Sequence, residues 1–157
     1  MHEKQKAMEK AMRALSMRAH SEAEIVEKLT RQRFDERTIA GVMQFLAEHR
    51  LTDDAAFAGQ WAKARARRGI GPRKIAWELR EKGVASDIIE EALEGIDGDE
   101  SLEPAVALAK KHLSRGDEKA KQRAYGALVR RGFPYDTVKK ALELATDDSE
   151  DELWIDG

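Results

Sequence analysis

The chain has 157 residues, of which 28 are basic and 30 acidic, with three prolines and no cysteine. This length suits one or two compact domains or a short array of repeats. The missing cysteine excludes disulfides, thiolate metal ligands and a cysteine nucleophile. No apolar run approaches the roughly 20 residues that span a bilayer, and the charged N-terminus has no signal-peptide core, so we expect a cytoplasmic protein.

The near-neutral total hides a strong segregation of charge along the chain. Residues 63–82 contain eight basic and two acidic side chains, and residues 110–131 again contain eight basic and two acidic ones. Between them, residues 87–103 contain eight acidic and no basic side chains, and every charge after Lys140 is negative. A net charge of -2 alone would argue against a polyanion-binding protein, but the two basic segments keep that function open.

Helical spacing of apolar residues extends through nearly the whole chain. It predicts nine short helices, at residues 4–19, 22–32, 36–48, 54–68, 72–82, 87–94, 101–114, 118–131 and 135–145. Ser21 and Glu24 form a capping-box pattern at the start of the second helix, and Pro72 suits the first turn of the fifth. Gly83 and Gly132 stand where C-terminal glycines would end the fifth and eighth helices.

These helices fall into a repeat. Shifts of 50 and then 49 residues superpose five apolar positions, with Gly83 and Gly132 in register. The aligned residues are Ile25, Leu29, Phe34, Ile39 and Val42 in the first copy, Ile75, Leu79, Val84, Ile89 and Ala92 in the second, and Ala124, Leu128, Phe133, Val138 and Ala141 in the third. The alternative is chance periodicity, since Leu and Ile recur in any helical protein.

We therefore predict an all-α protein of three tandem three-helix repeats, at 1–51, 52–97 and 98–146, forming an elongated, curved, solenoid-like molecule. A unit of this size buries too little apolar surface to be stable alone, so neighbouring repeats should stack. The acidic tail, residues 147–157, is expected to be disordered. An alternative for the tail is that Leu153, Trp154 and Ile155 dock while its acidic residues cover a basic segment.

The most distinctive motif lies in the second repeat. It comprises Leu51, Asp53 and Asp54, then Phe57, then Gly69, Gly71 and Pro72, then Ile75, Glu78 and Leu79, and finally Lys82 and Gly83. This pattern resembles the central repeat of the RecX family, regulators of the bacterial RecA recombinase. The first repeat is similar to that family through Ser21, Glu24, Ile25, Lys28 and Leu29, and the third, more weakly, through Leu128, Arg131, Gly132 and Phe133.

The resemblance covers almost the whole chain and implies a non-enzymatic regulator in DNA repair, homologous recombination and the SOS response. Such a protein would bind the RecA nucleoprotein filament across neighbouring protomers. It would inhibit the ATPase, strand exchange and co-protease activity of RecA, by blocking filament extension or by promoting disassembly. We expect a monomer without membrane contact, whose own binding to single- or double-stranded DNA is weak.

The basic segments supply the candidate binding residues, which are chosen from charge placement and not from the family motif. They are Lys63, Arg67, Arg68, Arg73, Lys74 and Trp77 in the second repeat and Lys119, Lys121, Arg123, Arg130 and Arg131 in the third. Trp77 lies off the predicted core face between Arg73 and Arg80, which suits base stacking, a protein contact or packing against an adjacent repeat. A solvated basic face without a partner is the plain alternative for the cations.

Two motifs in the second repeat suggest ligand chemistry and have a structural alternative. Asp53 and Asp54 could form a metal site or an acid pair, but helix caps explain them better. The turn at 69–72 precedes a helix whose first N–H groups would be free beside Arg73 and Lys74, which leaves an anion site open.

Catalysis finds little support. The four histidines have no metal-binding spacing, and the chain contains no Walker loop, nucleophile elbow or dinucleotide fingerprint. We therefore expect no enzymatic activity, no cofactor and no metal. The second hypothesis for function is a free-standing nucleic-acid-binding repeat protein that acts on DNA phosphates through the same basic segments.

Overall fold

The computed structural model describes residues 2–96 and 98–155, with side chains described for 2–96 and 102–146. Over these residues the chain forms nine α-helices and no strand. The helices are α1 (His2–Met17), α2 (Glu22–Arg31), α3 (Glu36–Glu48), α4 (Asp54–Arg67), α5 (Pro72–Glu81), α6 (Ser86–Glu94), α7 (Gly98–Leu113), α8 (Ala120–Arg130) and α9 (Tyr135–Ile155). Among them, none combines the length and apolar character that crossing a membrane requires.

The prediction of an all-α chain is confirmed, and helices α1 to α8 begin and end within three residues of their predicted bounds. Helix α9 ends at Ile155, whereas the prediction ended it at 145. No glycine or proline interrupts residues 135–156, so no local signal stops the helix at the predicted point. The prediction of a disordered or docking acidic tail, 147–157, falls on residues whose side chains lie outside the described part.

The chain divides into two compact units, Met1–Gln60 with Glu78–Ala92 and Trp61–Trp77 with Leu93–Gly157. The core of the first unit packs three alanines of α1 against larger aliphatic residues of α2 and α3. These residues are Ala7, Ala11, Ala14, Ile25, Leu29, Ile39, Val42 and Leu46. The core of the second unit is built the same way from α7, α8 and α9, with Leu128, Phe133 and Val138 among its larger members.

The aligned positions of the three repeats are core positions. Of the fifteen aligned residues, only Phe34 and Ala92 are half-buried, and all the others are buried. The residues that define the repeat are therefore core residues in nearly every case.

The middle helices of the repeats, α2, α5 and α8, end in the same left-handed turn. The turn residue has a φ of 69° at Arg33, 78° at Gly83 and 91° at Gly132. In each turn the next amide donates to a carbonyl near the end of the helix. These bonds run from Phe34 to Leu29 (3.2 Å), from Val84 to Leu79 (3.1 Å) and from Phe133 to Leu128 (3.2 Å). This is the Schellman pattern, in which glycine is favoured because it alone enters the left-handed region without steric cost.

The turn after α5 packs against the start of α2, and we call this contact the first joint. The Ser21 hydroxyl donates to the Lys82 carbonyl oxygen at 2.6 Å and accepts from the Glu24 N–H at 3.1 Å. The Lys82 ammonium lies 3.4 Å from the Glu24 carboxylate. A Cβ on Gly83 would come within 2.3 Å of the Ala23 Cβ, so only glycine fits in this joint.

A second joint repeats this arrangement one repeat later, between the start of α5 and the turn after α8. The Gly71 N–H donates to the Arg131 carbonyl at 2.6 Å, and the Arg73 N–H donates to the Gly132 carbonyl at 2.9 Å. A Cβ on Gly132 would lie 2.4 Å from the Lys74 nitrogen. In the repeat alignment Gly71 corresponds to Ser21 and Arg131 to Lys82. The donor to the aligned carbonyl is therefore a backbone N–H in the second joint and a hydroxyl in the first.

The second joint overturns one expectation. We expected free N–H groups at the start of α5, available to an anion, but those of Gly71 and Arg73 are already bonded and Pro72 has none. The carbonyls at the C-terminal end of α8 carry partial negative charge, and the start of α5 carries partial positive charge. The end of α8 therefore occupies the place where an anion would bind.

The acidic pair at the start of α4 caps helices, as predicted. Asp53 accepts from the Ala56 N–H at 3.1 Å and so caps α4 itself. Asp54 instead accepts from the Glu22 N–H at 2.8 Å and caps α2. Thr52 supports this contact by donating to the Glu22 carboxylate at 3.2 Å.

Candidate functional site

All eleven predicted binding residues lie in the second unit, on α4, α5 and α8 and the turns beside them. The structure places them in four settings. Two residues line a groove beside α7, three line a cup between α5, α7 and α8, two are held at the second joint, and three stand at the start of α8. Trp77 lines neither the groove nor the cup and lies on α5, three residues after Lys74.

The groove is lined by Lys63 and Arg67, which are one helical turn apart on α4. Glu103, Pro104 and Ala107 of α7 form its other side, and the groove has a volume of about 710 Å³. Both cations are exposed, and no carboxylate within the described side chains pairs with either. The end of α4 thus offers two adjacent cations that form no ion pair with a described side chain, although Glu103 lines the same groove.

The cup is lined by Lys74 from α5 and by Arg130 and Arg131 from the end of α8. His112 of α7 completes the polar lining, and the volume is about 230 Å³. The prediction had grouped Lys74 with the second repeat and the two arginines with the third. Packing of the second joint brings them together, because the turn after α8 lies on the start of α5.

Arg68 and Arg73 are tied to the second joint through their backbones. The Arg131 guanidinium donates to the Arg68 carbonyl at 3.3 Å, and the Arg73 N–H is bonded to the turn after α8. The side chains of both residues are exposed. Arg131 therefore has a structural role in addition to its predicted binding role.

Lys119, Lys121 and Arg123 stand at the start of α8, and they differ in availability. The Arg123 guanidinium donates to the Asp117 carboxylate at 2.8 Å and is partly buried. This hydrogen bond holds the pKa of Asp117 below its usual value. Lys119 and Lys121 are exposed. Of the three, Arg123 is the one that is already used inside the unit.

Trp77 is 56% exposed, so the prediction that it lies off the core face is confirmed. Its position four residues after Arg73 and three before Arg80 places both arginines beside it on the helix surface. Trp61 is different, because it is half-buried and the Arg65 guanidinium lies 5.7 Å from its ring centroid. Trp77 is therefore available to a partner, as are Tyr125 and Tyr135, which are 45% and 61% exposed on the same unit.

His112 is the residue that the sequence prediction missed. Burial, and then the positive charges of Arg115, Arg123, Lys111 and Arg130, hold its pKa below the usual value. Its Nδ1 is shielded from solvent and has no hydrogen-bond partner among the described residues. Its place inside a basic segment was a usable signal, but histidine was considered only as a metal ligand. Among the described residues no cluster of histidine and carboxylate side chains could hold a metal ion.

Comparison with known proteins shows which family has this architecture. Models of the three RecX three-helix domains match in order: the first at residues 7–46, the second at 53–93 and the third at 99–142. The chain belongs to the RecX family. The regulatory protein RecX of Halorhodospira halophila (strain DSM 244 / SL1) is 37% identical over 143 residues, which is 89% of this chain and 88% of that protein. RecX of Chlorobaculum tepidum is 35% identical over 142 residues, covering 90% of this chain and 89% of its own length.

Solved RecX structures have the same fold. The crystal structure of RecX from Lactobacillus salivarius matches with a TM-score of 0.85 at 23% identity, covering 92% of this chain and 97% of that one. A second crystal structure of a RecX regulatory protein matches with a TM-score of 0.80 at 25% identity, over 92% of this chain and 72% of that one. The predicted family and the three tandem helical domains are confirmed, whereas the binding roles of the eleven residues stay predictions.

Proposed function

We propose that this RecX chain binds the RecA nucleoprotein filament and inhibits its ATPase, strand exchange and co-protease activity, without catalysing a reaction itself. Inhibition would follow from blocked filament extension or from promoted disassembly. The observation that carries the proposal is the set of three RecX domains, which its relatives share as regulatory proteins. Since the proposed partner assembles on chromosomal DNA, the proposed site of action is the bacterial cytoplasm.

The charge distribution of the second unit supports a large anionic partner. Lys63, Arg67, Lys74 and Arg130 have no carboxylate partner within the described side chains. Unpaired charges of one sign on one unit raise the association rate with an oppositely charged surface, and the effect falls steeply with salt. A nucleoprotein filament offers both phosphates and acidic side chains at regular intervals, so several weak contacts can form together.

The test is to titrate the protein into RecA on single-stranded DNA while ATP hydrolysis is followed. We expect inhibition at protein concentrations well below that of RecA, because blocking growth at a filament end affects many subunits. Inhibition only at concentrations that saturate naked DNA would refute the proposal. That outcome would instead support the free-standing DNA-binding protein, whose affinity should fall with a log–log salt slope near -0.9 per duplex phosphate neutralised.

A matched pair of variants tests the role of the groove in this inhibition. Lys63→Gln with Arg67→Gln removes the two cations of the groove, whereas Lys10→Gln with Arg13→Gln removes two exposed cations of α1. Both changes lower the net charge equally. We expect the concentration for half-maximal inhibition to rise at least tenfold for the groove variant and to stay within twofold for the α1 variant. Equal effects would show that only net charge matters and would remove the groove from the proposal.

A further inference from the structure

The cup in the second unit has the lining of an anion site. The lining combines apolar and cationic side chains, and no carboxylate belongs to it. The lining residues are Lys74, Leu108, His112, Ala127, Arg130 and Arg131. Its volume of about 230 Å³ is ample for a phosphate group with part of a sugar. Three cations from two helices converge here, which on a solvated surface would repel one another without a bound anion.

The state of His112 reports the same excess of positive charge. Burial comes first among the causes that lower its pKa, and the charges of Arg115, Arg123, Lys111 and Arg130 add to it. Lys74 from α5 and Arg131 from the turn after α8 also face the cup. The carboxylate of Asp117 is bonded to Arg123. His112 lines the cup, and its Nδ1 is buried without a hydrogen-bond partner among the described residues.

Trp77 stands next to the cup on the same helix. It follows Lys74 by three residues, and residues with this spacing are neighbours on a helix surface, about 5–6 Å apart at Cβ. More than half of its side chain is exposed. An exposed aromatic ring beside a cationic phosphate site is the arrangement with which proteins hold unpaired bases.

We propose that the cup binds a phosphodiester group of a single-stranded nucleic acid while an adjacent base stacks on Trp77. Lys74, Arg130 and Arg131 would contact the phosphate oxygens, and guanidinium groups suit that contact because they donate two parallel hydrogen bonds. A duplex keeps its bases stacked inside and leaves none for Trp77, which favours the single strand. An acidic peptide could fill the cup but would give Trp77 no base to stack on. Lys74 and Arg130 also belong to the cations that support the proposed action on RecA, so the two functions would share these side chains.

Binding at this site should take up a proton. A phosphate in the cup offsets the positive charges that disfavour the imidazolium form, so the pKa of His112 should rise. By linkage, the affinity for the strand should increase as the pH falls through the histidine range, between about pH 8 and pH 5. Oligothymidine is a suitable probe, because its phosphodiesters and bases do not titrate in that range.

The first experiment follows the imidazole signals by NMR across this pH range, with and without an eight-residue oligothymidine at saturation. The His112→Gln variant assigns the signal, and its affinity should lose most of the pH dependence. We expect the His112 titration midpoint to shift to higher pH when the strand binds. An unchanged midpoint at saturation would overturn the proposal. This result is read on the unsubstituted protein and does not depend on whether a variant folds.

The second experiment compares Lys74→Gln with Lys139→Gln, which removes the same charge from an exposed position of α9 outside the cup. The log–log salt slope for the oligothymidine should fall by about 0.7 for the first and stay unchanged for the second. Quenching of tryptophan fluorescence by the strand should be lost in Trp77→Leu. Equal slopes for the two lysine variants, or undiminished quenching, would overturn the proposal.

Further arms identify the occupant. Inorganic phosphate alone should shift the His112 midpoint without quenching tryptophan fluorescence, which would show that phosphate fills the cup and the base reaches Trp77. An octaglutamate peptide that bound as tightly as the strand would refute the nucleic-acid site in favour of an acidic protein segment. Strand binding is measured without RecA, and inhibition of RecA is measured in a separate assay, so a negative result for strand binding overturns the cup and leaves the proposed function standing.

Discussion

The first joint predicts a strong and compensable effect of adding one methyl group at Gly83. In Gly83→Ala the new Cβ would meet the Ala23 Cβ at 2.3 Å, at a residue whose φ is 78°. The left-handed backbone costs a non-glycine residue about 1–2 kcal/mol. Overpacking against a neighbouring side chain adds about 1–3 kcal/mol. We therefore expect Gly83→Ala to lower the free energy of unfolding by about 2–5 kcal/mol.

A second substitution separates the two contributions. Ala23→Gly removes the methyl group that is struck, and its nearest remaining atom, the Cα, would lie 3.8 Å from the new Cβ, an ordinary contact distance. The double variant should therefore lose only the backbone cost of about 1–2 kcal/mol, beyond the effect of Ala23→Gly alone, which is at most about 1 kcal/mol. The coupling between the two sites is then about 1–3 kcal/mol.

Urea unfolding followed by circular dichroism gives the required free energies, provided that the m-value stays constant. Gly59→Ala is the control, because a Cβ there would meet no atom within 4 Å and its backbone is helical. It should stabilise the protein by about 0.5–1 kcal/mol. If Gly83→Ala costs the same whether residue 23 is alanine or glycine, the turn after α5 does not pack on the start of α2, and the first joint is refuted.

Three further predictions concern the first unit. Arg33→Gly should raise the free energy of unfolding by about 1 kcal/mol in the same urea assay, because glycine accepts the φ of 69° without strain; a loss of stability would contradict this. Ser21→Ala should lower it by about 1–3 kcal/mol, since the partly buried Lys82 carbonyl loses its side-chain donor and α2 loses its cap. Burial raises the pKa of Glu24, but the Ser21 N–H and the charges of Arg18 and Lys82 lower it more, so the folded-state pKa lies below the usual value. Stability from this carboxylate is therefore present above about pH 4.3 and lost as the pH falls through the folded-state pKa, a decline that acid titration should show to be shallower in Glu24→Gln.

Helix positions were predictable because their signals are local. The capping box at Ser21, the proline at 72 and the glycines at 83 and 132 lie within a few residues of the boundaries they mark. Burial of the aligned positions followed from the same short-range periodicity. Arg33 shows the limit, because an arginine gives no sign that its backbone is left-handed; only its alignment with the two glycines could have revealed it.

The binding surface was predictable in composition but not in arrangement. Charge counts located the basic segments, whereas the cup depends on the turn after α8 packing against the start of α5. Beyond the glycines that they require at 83 and 132, such backbone contacts between distant segments leave no pattern in the side chains. The same contacts explain why the anion site that the sequence left open at the start of α5 does not form, since the carbonyls that accept from Gly71 and Arg73 belong to Arg131 and Gly132, 60 and 59 positions later in the chain. His112 joins the cup through the packing of α7 on α8, which periodicity alone does not define.

The joints also set the order in which contacts between the repeats can form during synthesis on the ribosome. The Ser21 hydroxyl donates to the Lys82 carbonyl, 61 residues downstream, and the Gly71 N–H donates to the Arg131 carbonyl, so neither bond can form until the later residue has been synthesised. Each repeat is thus completed by the one synthesised after it, and the last joint closes only when residue 132 has emerged. Although every element is a helix, these contacts are as distant in sequence as those of many β-proteins, which should slow folding relative to a simple helical bundle. In a nascent chain that stops before residue 131, the N–H groups of Gly71 and Arg73 would lack their carbonyl partners, so the start of α5 would stay exposed.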